Sequence, residues 1–353
     1  MKLVIFGLAV SSSWGNGHAV LWRGLIRAFG ALGHHTVFFE RDVPYYAQNR
    51  DLTVLEGGRL VLYDDWEKVL PEAKRELAGA DAGIVTSYCP DALAATEVVL
   101  GAPTLHLFYD LDTPVTLSQL AEGRAVTYIG PDGLAPFDLV LSYTGGAALT
   151  GVRNRLGAKR VAPLYGSVDP NHYRPAAPDG PRAALSYLGT YAADRQAALE
   201  TLFVEPAWRR PHDRFIIGGA QYPADFPWGR NLFFWRHVAA HEHPKFYASA
   251  RSTLNVTRQT MAALGWCPSG RLFEAAACGT PIVSDWWEGL GEFFEPQSEI
   301  IVVRTTEDVM AALERTDTEL SRIGAAARER VLTGHTAARR AAELEILLSQ
   351  LEG

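Results

Sequence analysis

The sequence predicts an α/β protein built from two doubly wound parallel-sheet domains, and three observations carry that expectation. Short apolar, β-branched runs alternate with helical stretches along the whole chain, which is the pattern of parallel strands buried between layers of helices. The chain has 353 residues, more than one hydrophobic core usually supports (~250–300), so two domains are expected. Between two such alternating series lies residues 166–184, a polar stretch holding Pro170, Pro175, Pro178 and Pro181. Prolines at that density exclude a helix or a central strand and read as an interdomain linker.

The first series opens with an apolar run at residues 3–8. After its single lysine this run could pass for a secretory signal, but it is short and is followed at once by Ser-Ser-Ser-Trp-Gly-Asn-Gly-His and a helical pattern. A buried first strand, a loop and a helix at 19–32 fit better. Further strands are expected at 35–40, 82–86, 104–109 and 139–142, with helices at 66–78 and 90–100; residues 52–65 show no clear period. The second series gives strands at 185–188, 214–218, 231–235, 253–256, 281–284 and 300–303. These patterns place a first domain at 1–174, a second at 175–335 and a closing segment at 336–353. In that segment Leu344, Leu347, Leu348 and Leu351 share one helical face, which covers either its own domain or the first one.

Composition narrows the function classes. A net charge of -7 argues against a general nucleic-acid or anionic-membrane binder, which needs surplus Lys and Arg. The cysteines, Cys89, Cys267 and Cys278, are scattered and include no C-x-x-C pair. That argues against a disulfide framework and a structural zinc site and fits a reducing, cytoplasmic location. No run approaches the ~18 apolar residues of a membrane span. Nothing in the sequence speaks to the oligomeric state.

The most informative passage is Pro268-Ser-Gly-Arg-Leu-Phe-Glu-Ala-Ala-Ala-Cys-Gly-Thr-Pro-Ile-Val-Ser284. Ser269 is placed as an N-cap and Gly279 as a left-handed C-terminal residue, with a short Ala-rich helix between them. The turn at Gly270 and Arg271 offers backbone N–H groups at a positive helix end, and Arg271 adds a fork-shaped donor suited to phosphate oxygens. Glu274 is the odd polar residue on this helix. It is either a solvated helix carboxylate or, one turn past a phosphate cradle, an acceptor for both hydroxyls of a ribose.

This passage resembles the donor-binding signature of retaining GT-B glycosyltransferases of the family-four type, and most closely their CgeB-like branch. The resemblance implies two Rossmann-like domains facing a central cleft, with the closing helix at 336–353 crossing back from the second domain to the first. It implies that Glu274 binds the ribose of a nucleotide-sugar, UDP- or GDP-linked, while Ser269, Gly270, Arg271 and Leu272 meet the diphosphate. The family-four pattern has a second glutamate eight residues earlier, where this chain has Trp266. Val161–Pro175 resembles the family's passage closing the first domain, and residues 185–195 the first strand and loop of the donor domain, with Gly189 at the strand end and Arg195 near the diphosphate. Residues 243–258 resemble the helix and strand before the donor loop, and Arg258 stands either as a phosphate ligand or as a surface arginine paired with a carboxylate.

In the first domain Gly15-Asn16-Gly17-His18 follows the first strand, but Val20 occupies the place of the third glycine of a dinucleotide fingerprint, which counts against an NAD oxidoreductase. In the related enzymes the corresponding loop faces the ligand, so Gly17 allows close approach and His18 points at acceptor or donor, unless it is only a solvated helix-start histidine. Asp110-Leu111-Asp112 follows an apolar strand; Asp110 either contacts a sugar or caps a turn before Pro114. With an arginine-lined cradle in the other domain, neither a metal nor any other cofactor is expected.

The activity implied is a hexosyltransferase-like transfer of a sugar from a nucleotide-sugar to a hydroxyl acceptor, with retention, in which His18, Asp110, Arg258 and Arg271 act at the reacting centre. Two other readings stay open: a nucleotide-sugar epimerase or hydrolase of the same fold, and a non-catalytic module that binds a carbohydrate or a partner.

Overall fold

A computed structural model describes residues 1–352 of the chain. They fall into two compact units, Met1–Gly166 joined by the C-terminal helix from Ala337, and Ser167–Thr336.

The first unit holds a seven-stranded parallel sheet. Its strands are β1 (Lys2–Gly7), β2 (His35–Arg41), β3 (Gly58–Tyr63), β4 (Ala82–Thr86), β5 (Leu105–Asp110), β6 (Leu139–Ser142) and β7 (Val161–Pro163), in the spatial order β3-β2-β1-β4-β5-β6-β7. The chain winds outward one way from β1 through β2 and β3, then returns to lay β4 on the other side of β1, so the strand order reverses between β1 and β4. β3 lies within the stretch whose period was unreadable. Its residues alternate between exposed and buried positions because it is the sheet edge. Entry into β3 depends on Gly57, which has φ +80; a Cβ on it would stand 2.5 Å from the carbonyl oxygen of Ile26.

The helix Gly17–Ala31 covers one face, burying Leu21, Trp22, Leu25, Ile26 and Phe29. The C-terminal helix Ala337–Glu352 packs into the same core through Ala341, Leu344 and Leu348. His34 Nε2 meets Glu345 at 2.9 Å, and Arg340 Nε reaches the carbonyl oxygens of Tyr165 and Gly166 at 3.2 and 3.3 Å. Arg340 is almost fully buried, and it lies against groups that pair with it on every side: two carbonyls, the Glu343 carboxylate and the face of Tyr165.

The second unit repeats the plan with six parallel strands: β8 (Leu185–Leu188), β9 (Phe215–Gly219), β10 (Leu232–Arg236), β11 (Thr253–Asn255), β12 (Ile282–Ser284) and β13 (Ile301–Val302). Their order is β10-β9-β8-β11-β12-β13, with the reversal between β8 and β11. Apart from the edge strand β10, which is mostly exposed and ends at Arg236, these strands are short, buried and mostly apolar, with Asn255 closing β11, as expected when helices cover both faces. The proline-bearing stretch does not hang free. Ala183 bridges to Ala250, Val168 bridges to Thr336, and Tyr173 is buried within the unit. Prolines exclude regular structure there, but an aromatic side chain and two bridges still fix the segment. No helix among the described residues is long and apolar enough to cross a membrane.

Candidate functional site

In open parallel sheets, ligands collect beyond the carboxyl ends of the strands where the strand order reverses. In the second unit that place lies past β8 and β11, and the residues singled out in the sequence gather around it. The turn after β8 begins at Gly189, where a Cβ would stand 2.6 Å from the Tyr187 hydroxyl. That hydroxyl in turn accepts from Arg195 Nη1 at 3.0 Å. Arg195 Nε is buried and has no acceptor among the described residues. Arg258, just past β11, donates from Nε to Asp194 Oδ2 at 3.0 Å, so the two strand-end loops are stitched together by an ion pair. Part of the Arg258 charge is therefore already neutralised. The β12 end is locked similarly: Asp285 accepts from the Thr257 amide at 2.9 Å and hydroxyl at 3.0 Å, and burial pushes its carboxyl up to about 6.

The helix Gly270–Ala277 stands beside this point. Ser269 Oγ accepts from the Arg271 amide at 3.3 Å, the expected cap, and Leu272 N–H turns back to the Ser269 carbonyl. Two of the first-turn amides are thus occupied, leaving the Gly270 N–H without an acceptor among the described residues. Arg271 is partly buried, and its guanidinium makes no hydrogen bond or ion pair among the described residues. The helix N-terminus therefore presents an unpaired cation together with an open amide, a combination that favours an anion.

Glu274 is not the solvated carboxylate that a short exposed helix would carry; it is 8 % exposed. Its Oε2 accepts from His243 Nδ1 at 3.1 Å and from the Tyr247 hydroxyl at 3.2 Å, and the Tyr173 hydroxyl lies 3.4 Å from the same His243 nitrogen. Burial alone raises its carboxyl. The hydrogen bond and charge of His243, then Arg271 and Tyr247, outweigh that and hold it below the usual carboxylate range. His243 and Tyr247 sit one turn apart on the helix His243–Ala248, which brings both to the face that meets Glu274. That spacing is visible in the sequence, yet nothing there says the pair clamps a carboxylate; only the fold of the helix against Glu274 does. Trp266, in the place of the missing glutamate, has φ +43 and donates from Nε1 to Glu292 at 2.7 Å. A Cβ on Gly289 would overlap its ring, so this turn is shaped around the indole.

Residues 195–346 match a family model described as glycosyl transferase-like. The matched span contains Arg258, Ser269, Gly270, Arg271, Leu272 and Glu274. Nothing among curated proteins matches the chain. Among solved structures, HepE from Anabaena, crystallised with UDP and glucose, superposes with a TM-score of 0.72 at 10% identity over 99% of this chain and 100% of its own. Sucrose-phosphate synthase from Thermosynechococcus elongatus gives 0.71 at 15% identity over 99% and 98%. An α-glucosyltransferase solved with UDP and a 13-mer DNA gives 0.67 at 12% identity over 99% of both chains. The chain has the GT-B glycosyltransferase fold.

In the first unit of this GT-B chain, the strand-order reversal lies between β1 and β4. There Asn16 caps the first helix by accepting from the His18 amide at 3.1 Å. A Cβ on Gly17 would meet nothing within 4 Å, so the position is open rather than sterically reserved for glycine. The His18 ring lies 6.0 Å from the Tyr88 ring at 28°, its Nδ1 is buried without a partner, and burial lowers the imidazole to about 4. Tyr88, in a left-handed conformation just past β4, donates to Asp112 Oδ2 at 3.0 Å. Asp110, at the end of β5, is fully buried. Its Oδ1 accepts from the Asp112 amide at 3.1 Å, its Oδ2 has no hydrogen-bond partner among the described residues, and burial pushes the carboxyl up to about 6.

Two features of this loop region escaped the sequence reading. Glu40, at the end of β2, is fully buried and accepts from the amides of Val10 and Ser11 at 2.7 and 2.9 Å and from the Ser11 hydroxyl at 2.5 Å. It holds the start of the glycine-bearing loop, but on an otherwise apolar strand it reads only as an end residue. Tyr88 gave no signal because a single tyrosine after a strand has no pattern to stand out from.

Asp110 and His18 titrate in opposite senses, which gives a testable consequence. A carboxyl raised in the folded state lends stability below its ordinary value of 3.8, and that stability is lost as pH rises through about 6. An imidazole lowered to about 4 costs stability at low pH, and that cost is relieved as pH rises toward 6.5. The two slopes oppose each other in the wild type. In Asp110→Asn the slope that opposes the histidine is gone, so the Tm of the first unit is expected to climb more steeply between pH 4 and 6.5 than in the wild type. Equal slopes in a pH series of melts would remove Asp110 from the titrating groups.

Proposed function

We propose that the chain transfers a sugar from a nucleotide-sugar, UDP- or GDP-linked, to a hydroxyl acceptor, with retention at the anomeric carbon. The observation that carries this is the unpaired Arg271 guanidinium beside the capped helix end, one turn from a buried carboxylate clamped by His243 and Tyr247. A diphosphate fits the first and a ribose diol the second. Two of the structural neighbours were solved with UDP, and the family match covers the cradle.

The second unit takes the donor role in this reading. Gly189 lets the diphosphate approach the β8 turn, Arg271 and Arg195 neutralise it, and Arg258 joins them when its bond to Asp194 is exchanged for phosphate. Preorganised charge at the leaving group is the main lever on the rate, and the departing phosphate itself takes the acceptor proton. In the first unit Gly17, His18 and Asp110 are assigned to the sugar and acceptor. A neutral His18 at physiological pH accepts or donates a hydrogen bond without adding charge. Tryptophan at position 266 favours the CgeB-like branch over the main family-four enzymes.

No divalent metal enters this scheme. Asp110 is buried and spends Oδ1 on the Asp112 amide, while Asp112 receives the Tyr88 hydroxyl, so the pair is organised as a turn rather than as a ligand set. The test is sugar transfer from UDP- and GDP-sugars to an array of hydroxyl acceptors, run with and without EDTA. Transfer that persists in EDTA is expected. A rate that collapses in EDTA and returns with magnesium or manganese would reverse the metal assignment. Donor turnover that needs no acceptor would point to an epimerase or hydrolase.

A further inference from the structure

A cavity of about 330 Å³ lies in the second unit, lined by residues that play no part in the donor cradle. Its floor is apolar: Ile216 from β9 and Val238. One wall is the indole of Trp235 on the edge strand β10, 40 % exposed and braced from behind by Phe246, whose ring it meets edge-on at 5.5 Å. The rim is polar and balanced in charge. Arg214 lies 4.8 Å over the Phe233 ring and reaches the Pro181 carbonyl at 3.5 Å; Lys245 pairs with Asp179 at 3.5 Å, and Glu242 receives the Ala239 amide at 3.2 Å.

This side of the unit is distinct from the Glu274 clamp. Glu242, Lys245 and Ser249 follow one another at intervals of three and four and so share a face of the helical segment, while His243 and Tyr247 occupy the other. A ligand in the cavity meets the first set and leaves the second in place.

We infer that this cavity is a second binding site for a neutral saccharide, separate from the nucleotide site. Three features select that chemistry. A rigidly backed tryptophan with an open face suits the C–H face of a pyranose ring, since an aromatic wall contributes area at little conformational cost. The rim offers both donors (Arg214, Lys245) and acceptors (Asp179, Glu242) of the kind that pair with hydroxyls. Two cations are set against two carboxylates, so the rim holds no excess of positive charge for a free phosphate. The volume is at the small end of ligand pockets, ~300–1,000 Å³, which fits a mono- or disaccharide. The inference does not depend on the donor reading, because none of its residues is assigned to the nucleotide.

The experiment is saturation-transfer NMR and tryptophan-fluorescence titration of the full chain with methyl α-glucoside, methyl β-galactoside, maltose and cellobiose, with a parallel titration of UDP. At least one sugar is expected to bind saturably. Trp235→Ala should weaken it by about tenfold, the equivalent of one stacking contact, whereas Trp235→Phe keeps most of the affinity. UDP affinity should be the same in all three proteins, and that also shows the variants are folded. Sugar affinity unchanged in Trp235→Ala, or no saturable binding by any of the four sugars, would overturn the inference. Failure of UDP to bind the wild type would instead remove the donor reading and leave this site standing.

Discussion

Truncation after Thr336 is expected to unfold the first unit while sparing the second. The removed helix, Ala337–Glu352, belongs to the first unit's core, where Ala341, Leu344 and Leu348 are buried against Leu21, Trp22, Leu25 and Phe29. Burying one leucine fully is worth about 1.5–3 kcal/mol. Losing two leucines with Ala337 and Ala341 therefore removes a large part of the ~5–15 kcal/mol that holds a domain together. The loss is compounded by polar groups, because the carbonyls of Tyr165 and Gly166 lose Arg340 and His34 loses Glu345. Cutting after Thr336 keeps His335, whose ring stacks on Phe273 at 4.8 Å in the second unit. Hydrogen exchange read unit by unit is the measurement. Amides of β1, β2 and β4 should lose protection while those of β8, β9 and β11 keep theirs. A milder variant, Leu344→Ala, should cost about 2–5 kcal/mol in the same unit. Protection of the first unit unchanged by the truncation would show that the helix only decorates it.

Much of this architecture was legible because parallel strands buried on both faces are written as unbroken apolar runs. β1, β4 and β6 hold such runs, β8 is broken only by Ser186, and each stands where its run stands. β3 was hidden because its apolar stretch is only Leu60 to Tyr63, preceded by Gly57, Gly58 and Arg59 and followed by two aspartates, and as an edge strand it buries only part of its surface. β7 was missed for its length of three residues. The leucine stripe of the last helix announced an apolar partner without naming it, since a stripe carries no address; the first domain was suggested by the family resemblance alone. Only the packing on Leu25 and Phe29 supplies one.

The candidate site was legible to a lesser degree, for a similar reason. Ser269, Gly270 and Glu274 lie in one local segment, so capping and helix spacing place them relative to one another directly in the sequence. The groups that hold Glu274 come from 27 and 31 residues away, and those that hold the glycine-bearing loop come from Glu40, 29 and 30 residues on. Such pairs depend on tertiary geometry that no single-sequence pattern encodes. Arg258 shows the other limit: the sequence supplied a cation at a strand end, and the fold supplied Asp194 to pair with it.

Glu274→Gln is expected to weaken UDP or GDP binding while leaving the fold largely intact. Glutamine keeps the length and one oxygen able to accept from His243 or Tyr247, so the clamp is not left with two unsatisfied buried groups. Glu274→Ala would leave them so, and breaking a buried pair costs about 3–5 kcal/mol of stability; the glutamine variant is therefore the discriminating one. Losing the charge removes charge-assisted hydrogen bonds to the ribose, each worth about 1.5–3 kcal/mol, or roughly tenfold to a hundredfold in Kd. The carboxylate is held below its ordinary value of 4.5, so it is ionised across the neutral range. Its contribution to stability is present above 4.5 and lost only as pH falls through the lowered value. Nucleotide affinity in the wild type should accordingly be flat in pH on this group's account, and the mutant's deficit should be the same at pH 6 and pH 8. Calorimetric titration of both proteins beside a thermal melt decides the matter. A fall in Tm with unchanged affinity would make Glu274 an internal brace for His243 and Tyr247. A fall in affinity with a nearly unchanged Tm is the outcome that a ribose contact requires.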